Sequence, residues 1–149
     1  MKYKITTLKE RFFQQFGGEP SVIAKAPGRL EILGNHTDYN EGLVLSTAVD
    51  RYVLFAARPV SGQRCHVVTE GELPDRSFRL DELDQREAGD WANYIKGIVR
   101  ELRTQGFNVS AFEAYVSSTV PVSSGMSSSA ALEMAATYAL GELCGKRPD

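Results

Sequence analysis

Several residue types that mark common classes of protein are scarce in this 149-residue chain. It has two cysteines, Cys65 and Cys144, which lie far apart and fit no motif spacing. They predict inert thiols in a reducing cytosol rather than a disulfide framework. It has two histidines, His36 and His66, which lack the spacing of a zinc site.

Long apolar runs and a strong excess of one charge are also missing. The formal net charge is -2 and no basic stripe is visible, so nucleic acid is not an expected partner. The longest apolar runs are too short to cross a bilayer, and the N-terminus lacks the continuous apolar segment of a signal peptide. We therefore expect a cytoplasmic protein without a membrane partner. Nothing in the sequence indicates an oligomeric state.

The apolar pattern predicts one α+β domain. Leu8, Phe12 and Phe16 recur at four-residue spacing and predict a helix that begins at a capping box, Thr7 with Glu10. Extended chain interrupted at residues 27–28 follows, and then two strands separated by a turn at residues 50–51.

The rest of the chain reads as short strands and two more helices. Short strands are predicted around "RCHVVTE" and "RSFRLDEL". Apolar positions from Trp91 to Leu102 predict a helix that ends at Gly106. A strand over "AFEAYVSSTVP", with Phe112, Ala114 and Val116 on one face, leads to a final helix rich in alanine and leucine. This order favours an α+β fold over a regular βαβ array.

The segment "PVSSGMSSSAALE" joins that strand to the last helix. A helix start has unpaired N–H groups and a positive dipole end, and a Gly/Ser loop lets a phosphate approach the backbone. No lysine follows the glycine, which excludes a P-loop NTPase. Two interpretations stay open for this segment alone: a phosphate-binding loop, or a serine cap with no ligand.

A second polar cluster occupies "APGRLEILGNHTDYNEG". Regular strand parity would place Arg29, Glu31, Leu33 and Asn35 on one side, with His36 and the next residues in a turn. Several donors and acceptors on a loop suit a sugar, whose hydroxyls each need a partner. An Asx-type turn without a ligand is the alternative. A metal site at His36 and a Ser-His-Asp hydrolase have weaker support, because no ligand spacing and no nucleophile elbow are present.

Together, "APGRLEILGNHTDYNEGLVL", "WANYIKG" and "PVSSGMSSSAALE" resemble, in order, the galactokinases of the GHMP small-molecule kinase superfamily. The first motif is similar to the galactokinase signature "GRVNLIGEHTDYNGG", and the third to the phosphate loop "PLGGGLSSSASLE". The resemblance implies a GHMP-kinase N-terminal domain over residues 1–149, with an α+β fold like the second domain of ribosomal protein S5. It also implies that a C-terminal domain normally follows and is absent from these residues.

The resemblance also implies roles for individual residues. Arg29 matches an arginine that stabilises the transferring phosphoryl group or the catalytic carboxylate. Trp91 resembles an aromatic near the adenine pocket, with a core tryptophan as the alternative. The other matches are the sugar-binding residues Asn35, His36, Thr37 and Asp38 and the ATP-binding residues Ser123, Ser124, Gly125, Met126, Ser127, Ser128 and Ser129. Ser129 also matches the hydroxyl that helps to hold Mg²⁺.

The implied activity is that of an ATP- and Mg²⁺-dependent sugar-1-kinase that phosphorylates the anomeric hydroxyl of galactose or a close analogue. Its partners would be a small-molecule sugar and a nucleotide. In the family, the catalytic aspartate and an acidic Mg²⁺ ligand lie beyond the third motif, so we expect residues 1–149 alone not to turn over.

Three departures from the family pattern matter. Glu31 stands where galactokinases usually have Asn, Asn35 stands where they usually have Glu, and Ser123 replaces a usual Gly. We hypothesise that the exchange of acid and amide alters the preferred sugar, since an amide also donates hydrogen bonds. The alternatives are a kinase for galacturonate, arabinose or N-acetylgalactosamine, and a non-catalytic ATP- and sugar-binding sensor on the same fold.

Overall fold

The protein was examined as a computed structural model, which describes residues 2–34, 43–121 and 126–147. Three helices and five strands lie in these ranges. In chain order they are α1 (Lys2–Phe16), β1 (Val22–Leu33), β2 (Leu45–Pro59), β3 (Arg64–Thr69), β4 (Arg76–Arg79), α2 (Ala92–Thr104), β5 (Phe112–Ser118) and α3 (Ser128–Leu143). Among these helices, none is long and apolar enough to cross a membrane.

The five strands form one mixed sheet in the order β1-β2-β5-β3-β4. β2 pairs antiparallel with both β1 and β5, and β3 pairs antiparallel with β4. β3 and β5 are parallel, and α2 lies in the connection that a parallel pair requires. β5 is therefore the central strand of the sheet, with two strands on either side. The residues that follow β5 begin at the end of this central strand.

Helices cover both faces of the sheet. Successive strand side chains point to opposite faces, so Val53 and Phe55 of β2 pack with α2 and α3, whereas Leu54 between them packs with α1. The α2 and α3 side holds the larger cluster, which includes Ile95, Phe112, Ala135 and Leu140 among its buried members. The α1 side is built around Leu8, Phe12 and Tyr115.

The first helix begins earlier than the sequence predicts. α1 starts at Lys2, so Thr7 lies inside the helix and the predicted capping box at Thr7 and Glu10 is wrong. The reason is that Ile5 also packs on the α1 side of the sheet and extends the apolar stripe toward the N-terminus. The helix ends at Phe16, and Gly17 directly after it has φ 71° and donates from its N–H to the carbonyl of Phe13.

The predicted turn at residues 50–51 is also wrong. β2 runs unbroken from Leu45 to Pro59, and β1 pairs with it on both sides of these residues. The register of the pairing shifts between Pro27 and Arg29 of β1. Asp50 and Arg51 therefore lie in an irregular part of β2 and do not end that strand. A long two-stranded ribbon extends past the rest of the sheet as a result.

The interruption predicted at residues 27–28 is wrong, because β1 is one strand from Val22 to Leu33 with a register shift at that place. The remaining helices and strands are confirmed, and so is the α+β class. Phe112, Ala114 and Val116 share one face of β5, and α2 buries Ile95, Val99 and Leu102. Cys65 and Cys144 are free thiols, and burial raises the pKa of Cys65 to about 11. Cys65 therefore stays protonated and inert near neutral pH, as predicted.

Arg58 ties the end of α1 to the sheet. Its Nε donates to the Glu113 carboxylate at 2.8 Å, and its Nη2 donates to the carbonyl of Phe16, the last residue of α1, at 2.6 Å. The side chains of Arg58 and Glu113 are 24% and 25% exposed, so the ion pair is partly shielded from water. The helix end and the carboxylate therefore share one donor group.

We expect Arg58→Met to lower the free energy of unfolding by about 2 kcal/mol, because it leaves a half-buried carboxylate and a helix carbonyl without their donor. Urea denaturation measures this. Arg51→Met is the matched control, since among the described residues Arg51 pairs with its exposed neighbour Asp50. This substitution should cost less than about 0.5 kcal/mol. Equal losses in the two variants would contradict this role for Arg58.

Candidate functional site

The two polar motifs meet through the backbone of β1. The N–H of Arg29 donates to the carbonyl of Met126, just before α3, at 3.1 Å. Gly28 makes this approach possible, because a Cβ there would lie 3.0 Å from the same carbonyl and 3.2 Å from methyl groups of Val120 and Val49. Segments that are far apart in sequence are thus held in direct contact.

Among the described residues, no side chain caps the first N–H groups of α3. The N-cap residue Ser127 makes no capping hydrogen bond, and the first turn contains no acidic residue. Ser127 adopts the left-handed conformation, with φ 54° and ψ 48°, which is unusual for a residue with a side chain. Within the described ranges, the first N–H groups and the positive end of the helix dipole therefore suit an anion.

Arg29 and Glu31 share one face of the β1–β2 ribbon. Their cross-strand partners are Ala48 and Ser46, which are two residues apart and so point the same way. Within the described ranges, the guanidinium of Arg29 has no hydrogen-bond or ion-pair partner. One carboxylate oxygen of Glu31, Oε1, is shielded from solvent and also has no hydrogen-bond partner there. This face therefore carries the Arg29 guanidinium and a Glu31 carboxylate oxygen, neither of which has a hydrogen-bond partner among the described residues.

Leu33 does not lie where strand parity predicts. A second register shift falls between Glu31 and Leu33, so Leu33 pairs with Leu45 while Glu31 pairs with the adjacent Ser46. Leu33 therefore points to the opposite face from Glu31 and Arg29, and the predicted common side is wrong for it. At 66% exposed, Leu33 belongs with Leu45 and Leu30 to an apolar surface at the end of the ribbon.

The described residues include only part of the predicted site. Arg29, Met126, Ser127, Ser128 and Ser129 are described, and the contact between β1 and Met126 brings Arg29 close to the start of α3. Asn35, His36, Thr37 and Asp38, together with Ser123, Ser124 and Gly125, lie outside the described residues. Their roles remain predictions.

Other candidate features lie away from this junction. Trp91 is 9% exposed, packs in the core, and donates from Nε1 to the carbonyl of Pro74 at 3.0 Å, which favours the core alternative. A cleft of about 280 Å³ opens on the α1 side, lined by Lys4, Arg11, Glu70 and neighbours, and contains no predicted site residue. The described part of the chain contains no cluster of three or more metal-ligating side chains.

Sequence reasoning did not identify the contact of Gly28 with Met126 or the left-handed Ser127. The break predicted at Pro27-Gly28 is a partial signal for the first, since a glycine inside a strand often marks a close backbone approach. Ser127 carries no comparable signal, because a serine before a helix ordinarily predicts a conventional cap.

Comparison with known proteins identifies the chain's relatives. The galactokinase galactose-binding signature matches residues 10–59, and the GHMP kinases N-terminal domain matches residues 93–149. The galactokinase of Roseiflexus sp. is 42% identical over 88% of this chain, and that of Bos taurus is 37% identical over 91%. The chain belongs to the galactokinase family of the GHMP kinases.

Solved structures agree with this membership. A crystal structure of Lactococcus lactis galactokinase complexed with galactose matches 97% of the chain with a TM-score of 0.86 and 29% identity. The mevalonate kinase of Methanococcus jannaschii matches 89% with a TM-score of 0.74 and 18% identity, which shows a shared fold. This galactokinase-family chain spans about a third of the length of the curated relatives it matches, 33% of the Roseiflexus protein and 36% of the bovine one.

We expect Gly28→Ala to lower the free energy of unfolding by about 1–3 kcal/mol, because the added Cβ must push β1 away from Met126 and the methyl groups beside it. Thermal and urea denaturation measure the change. Gly97→Ala is the matched control. Gly97 lies inside α2 with nothing within 4 Å of an added Cβ, so the same substitution should stabilise by about 0.5–1 kcal/mol. A Gly28→Ala protein as stable as the parent would contradict the tight junction.

Proposed function

We propose that the chain provides the sugar- and nucleotide-binding part of a galactokinase-type sugar-1-kinase. The observation that carries the proposal is the hydrogen bond from the Arg29 N–H to the Met126 carbonyl. It places the strand that leads into the sugar signature against the start of α3, the segment that resembles a phosphate loop. A sugar and a triphosphate bound to these two segments would be neighbours, as phosphoryl transfer requires.

The described residues fit an anionic phosphate group. The open N–H groups at the start of α3 would donate to phosphate oxygens, and the absence of an acid from the first turn avoids repulsion. The Arg29 guanidinium, unpaired among the described residues, would stabilise charge that develops as the phosphoryl group moves. Asn35, His36, Thr37 and Asp38 would orient the sugar so that its anomeric hydroxyl faces the phosphoryl group.

Mg²⁺ would be held through the hydroxyl of Ser129, in the first turn of α3. When bound, the ion neutralises phosphate charge. The described residues offer hydroxyl groups but no carboxylate cluster at this place, so Ser129 would supply one ligand among several. We also propose that residues 1–149 form one GHMP-kinase N-terminal domain, and that turnover needs groups outside it.

We expect Ser129→Ala to weaken ATP binding roughly 10-fold or more with Mg²⁺ and by a clearly smaller factor without it, because the metal ligand is lost in addition to any contact with phosphate. Isothermal titration with and without EDTA separates the two. Ser110→Ala, at an exposed loop position, is the matched control and should bind like the parent. Binding by Ser129→Ala with the parent's dependence on Mg²⁺ would contradict the assignment.

The direct test of the function is ADP release by the full-length gene product with galactose, glucose, galacturonate, arabinose and N-acetylgalactosamine. We expect the highest kcat/KM with galactose and a sugar 1-phosphate as product, while residues 1–149 alone should release no ADP. A higher kcat/KM with another sugar of the panel would replace galactose as the substrate. Binding of sugar and ATP without ADP release would instead favour the sensor, and the absence of both would refute the proposal.

A further inference from the structure

A threonine side chain replaces a backbone acceptor at the place where the chain leaves β5. Ser118, the last residue of β5, pairs with Val53 of β2. At the next position the N–H of Thr119 donates to the carbonyl of Tyr52 at 2.9 Å, and the N–H of Tyr52 donates at 2.9 Å to the side-chain Oγ1 of Thr119. An ordinary antiparallel pair would exchange two backbone bonds here. The hydroxyl therefore lets the backbone of Thr119 turn out of the sheet while the N–H of Tyr52 keeps an acceptor.

A second hydroxyl shapes the same turn. Oγ of Ser118 accepts a hydrogen bond from the N–H of Val120 and donates to its carbonyl, both at 3.1 Å. Val120 is 3% exposed, and its methyl group lies 3.2 Å from the position of a Cβ on Gly28. Two side-chain hydroxyls thus set the path from β5 to the residue that packs beside Gly28.

Both described ends of the segment between β5 and α3 are bonded to the same part of the β1–β2 ribbon. Thr119 bonds to Tyr52 at the first end, and the carbonyl of Met126 accepts from Arg29 at the second. Tyr52 is the cross-strand partner of Pro27, which lies two residues before Arg29, at the register shift. A segment whose ends are fixed in this way loses less conformational freedom when it binds a ligand.

We propose that Thr119 is a positioning residue for nucleotide binding, whose hydroxyl holds the first end of the segment that resembles a phosphate loop. The inference rests on the proposed function, since it needs a phosphate group at the start of α3. The hydroxyl itself is engaged by Tyr52, because it accepts from the N–H of that residue and donates to its carbonyl at 3.3 Å. Thr119 therefore acts on the nucleotide through the backbone and not by contact.

A purely structural role for this hydroxyl predicts a different result. Its loss leaves the partly buried N–H of Tyr52 without an acceptor, which lowers stability whether or not a nucleotide binds. A positioning role also lowers the affinity for nucleotide at temperatures where the variant is fully folded. It leaves the affinity for sugar nearly unchanged, because the predicted sugar-binding residues belong to another segment.

The test uses isothermal titration of the full-length gene product with a non-hydrolysable ATP analogue in the presence of Mg²⁺, and separately with galactose. The variants are Thr119→Val, Thr119→Ser and Ser118→Ala. The matched control is Thr69→Val, which removes a hydroxyl that donates to the Leu73 carbonyl at 3.4 Å, on the other side of β5.

We expect Thr119→Val to bind the analogue roughly 10-fold weaker or more, and galactose within about two-fold of the parent. Thr119→Ser keeps the hydroxyl and should bind both ligands like the parent, as should Thr69→Val. Ser118→Ala should lose affinity for the analogue by a smaller factor, because it loosens the turn but leaves the bonds to Tyr52.

Thermal unfolding of the same proteins separates positioning from stability. A lower Tm for Thr119→Val with the parent's nucleotide affinity would overturn the inference, and so would equal losses for nucleotide and galactose or a Thr119→Ser protein as impaired as Thr119→Val. If Thr119→Val does not fold, Ser118→Ala decides, since Ser118 is at an exposed position, and parental nucleotide affinity there would overturn the inference. A parent that does not bind the analogue would refute the proposed function, and this inference with it.

Discussion

The hydrogen bond between the N–H of Arg29 and the carbonyl of Met126 is the contact on which the candidate site depends. Glycine at residue 28 suits this close approach, since a Cβ there would lie 3.0 Å from that carbonyl and 3.2 Å from methyl groups of Val120 and Val49. It fixes the distance between a strand that carries the galactokinase signature and the helix start that follows the Gly/Ser loop. It joins the two polar motifs within the wider packing of α3 against β1.

The sheet explains why the contact forms at this place. β5 is the central strand, and α3 packs against β1 and β2 on one face of the sheet. β1 is an edge strand, and its ribbon with β2 extends past the other strands where the register shifts. Because the register shifts between Glu31 and Leu33, Arg29 and Glu31 point to one face of the ribbon, whereas Leu33 and Leu45 point to the other. The polar groups of the candidate site and an exposed apolar surface are thereby separated on one ribbon.

The sequence predicts most of this fold, because apolar periodicity is strong in α2, β5 and α3 and their core positions are as expected. It mispredicts where packing overrides local signals: Ile5 extends α1 past a plausible cap, and pairing with β1 carries β2 through Asp50 and Arg51. The motifs predict the candidate site residues, but not their arrangement, since a register shift moves Leu33 and the left-handed Ser127 has no local signature. Arrangement depends on contacts between distant segments, which a local pattern does not contain.

We propose that sugar and nucleotide bind side by side across the junction of β1 with the start of α3. The most direct measurement uses the full-length gene product with a non-hydrolysable ATP analogue, replaces Mg²⁺ with paramagnetic Mn²⁺, and records the relaxation rates of the protons of bound galactose. We expect strong enhancement that is greatest at the anomeric proton, with loss of the effect when excess analogue is added with Mg²⁺. Galactose that binds while its protons relax no faster with Mn²⁺ than with Mg²⁺ would contradict it.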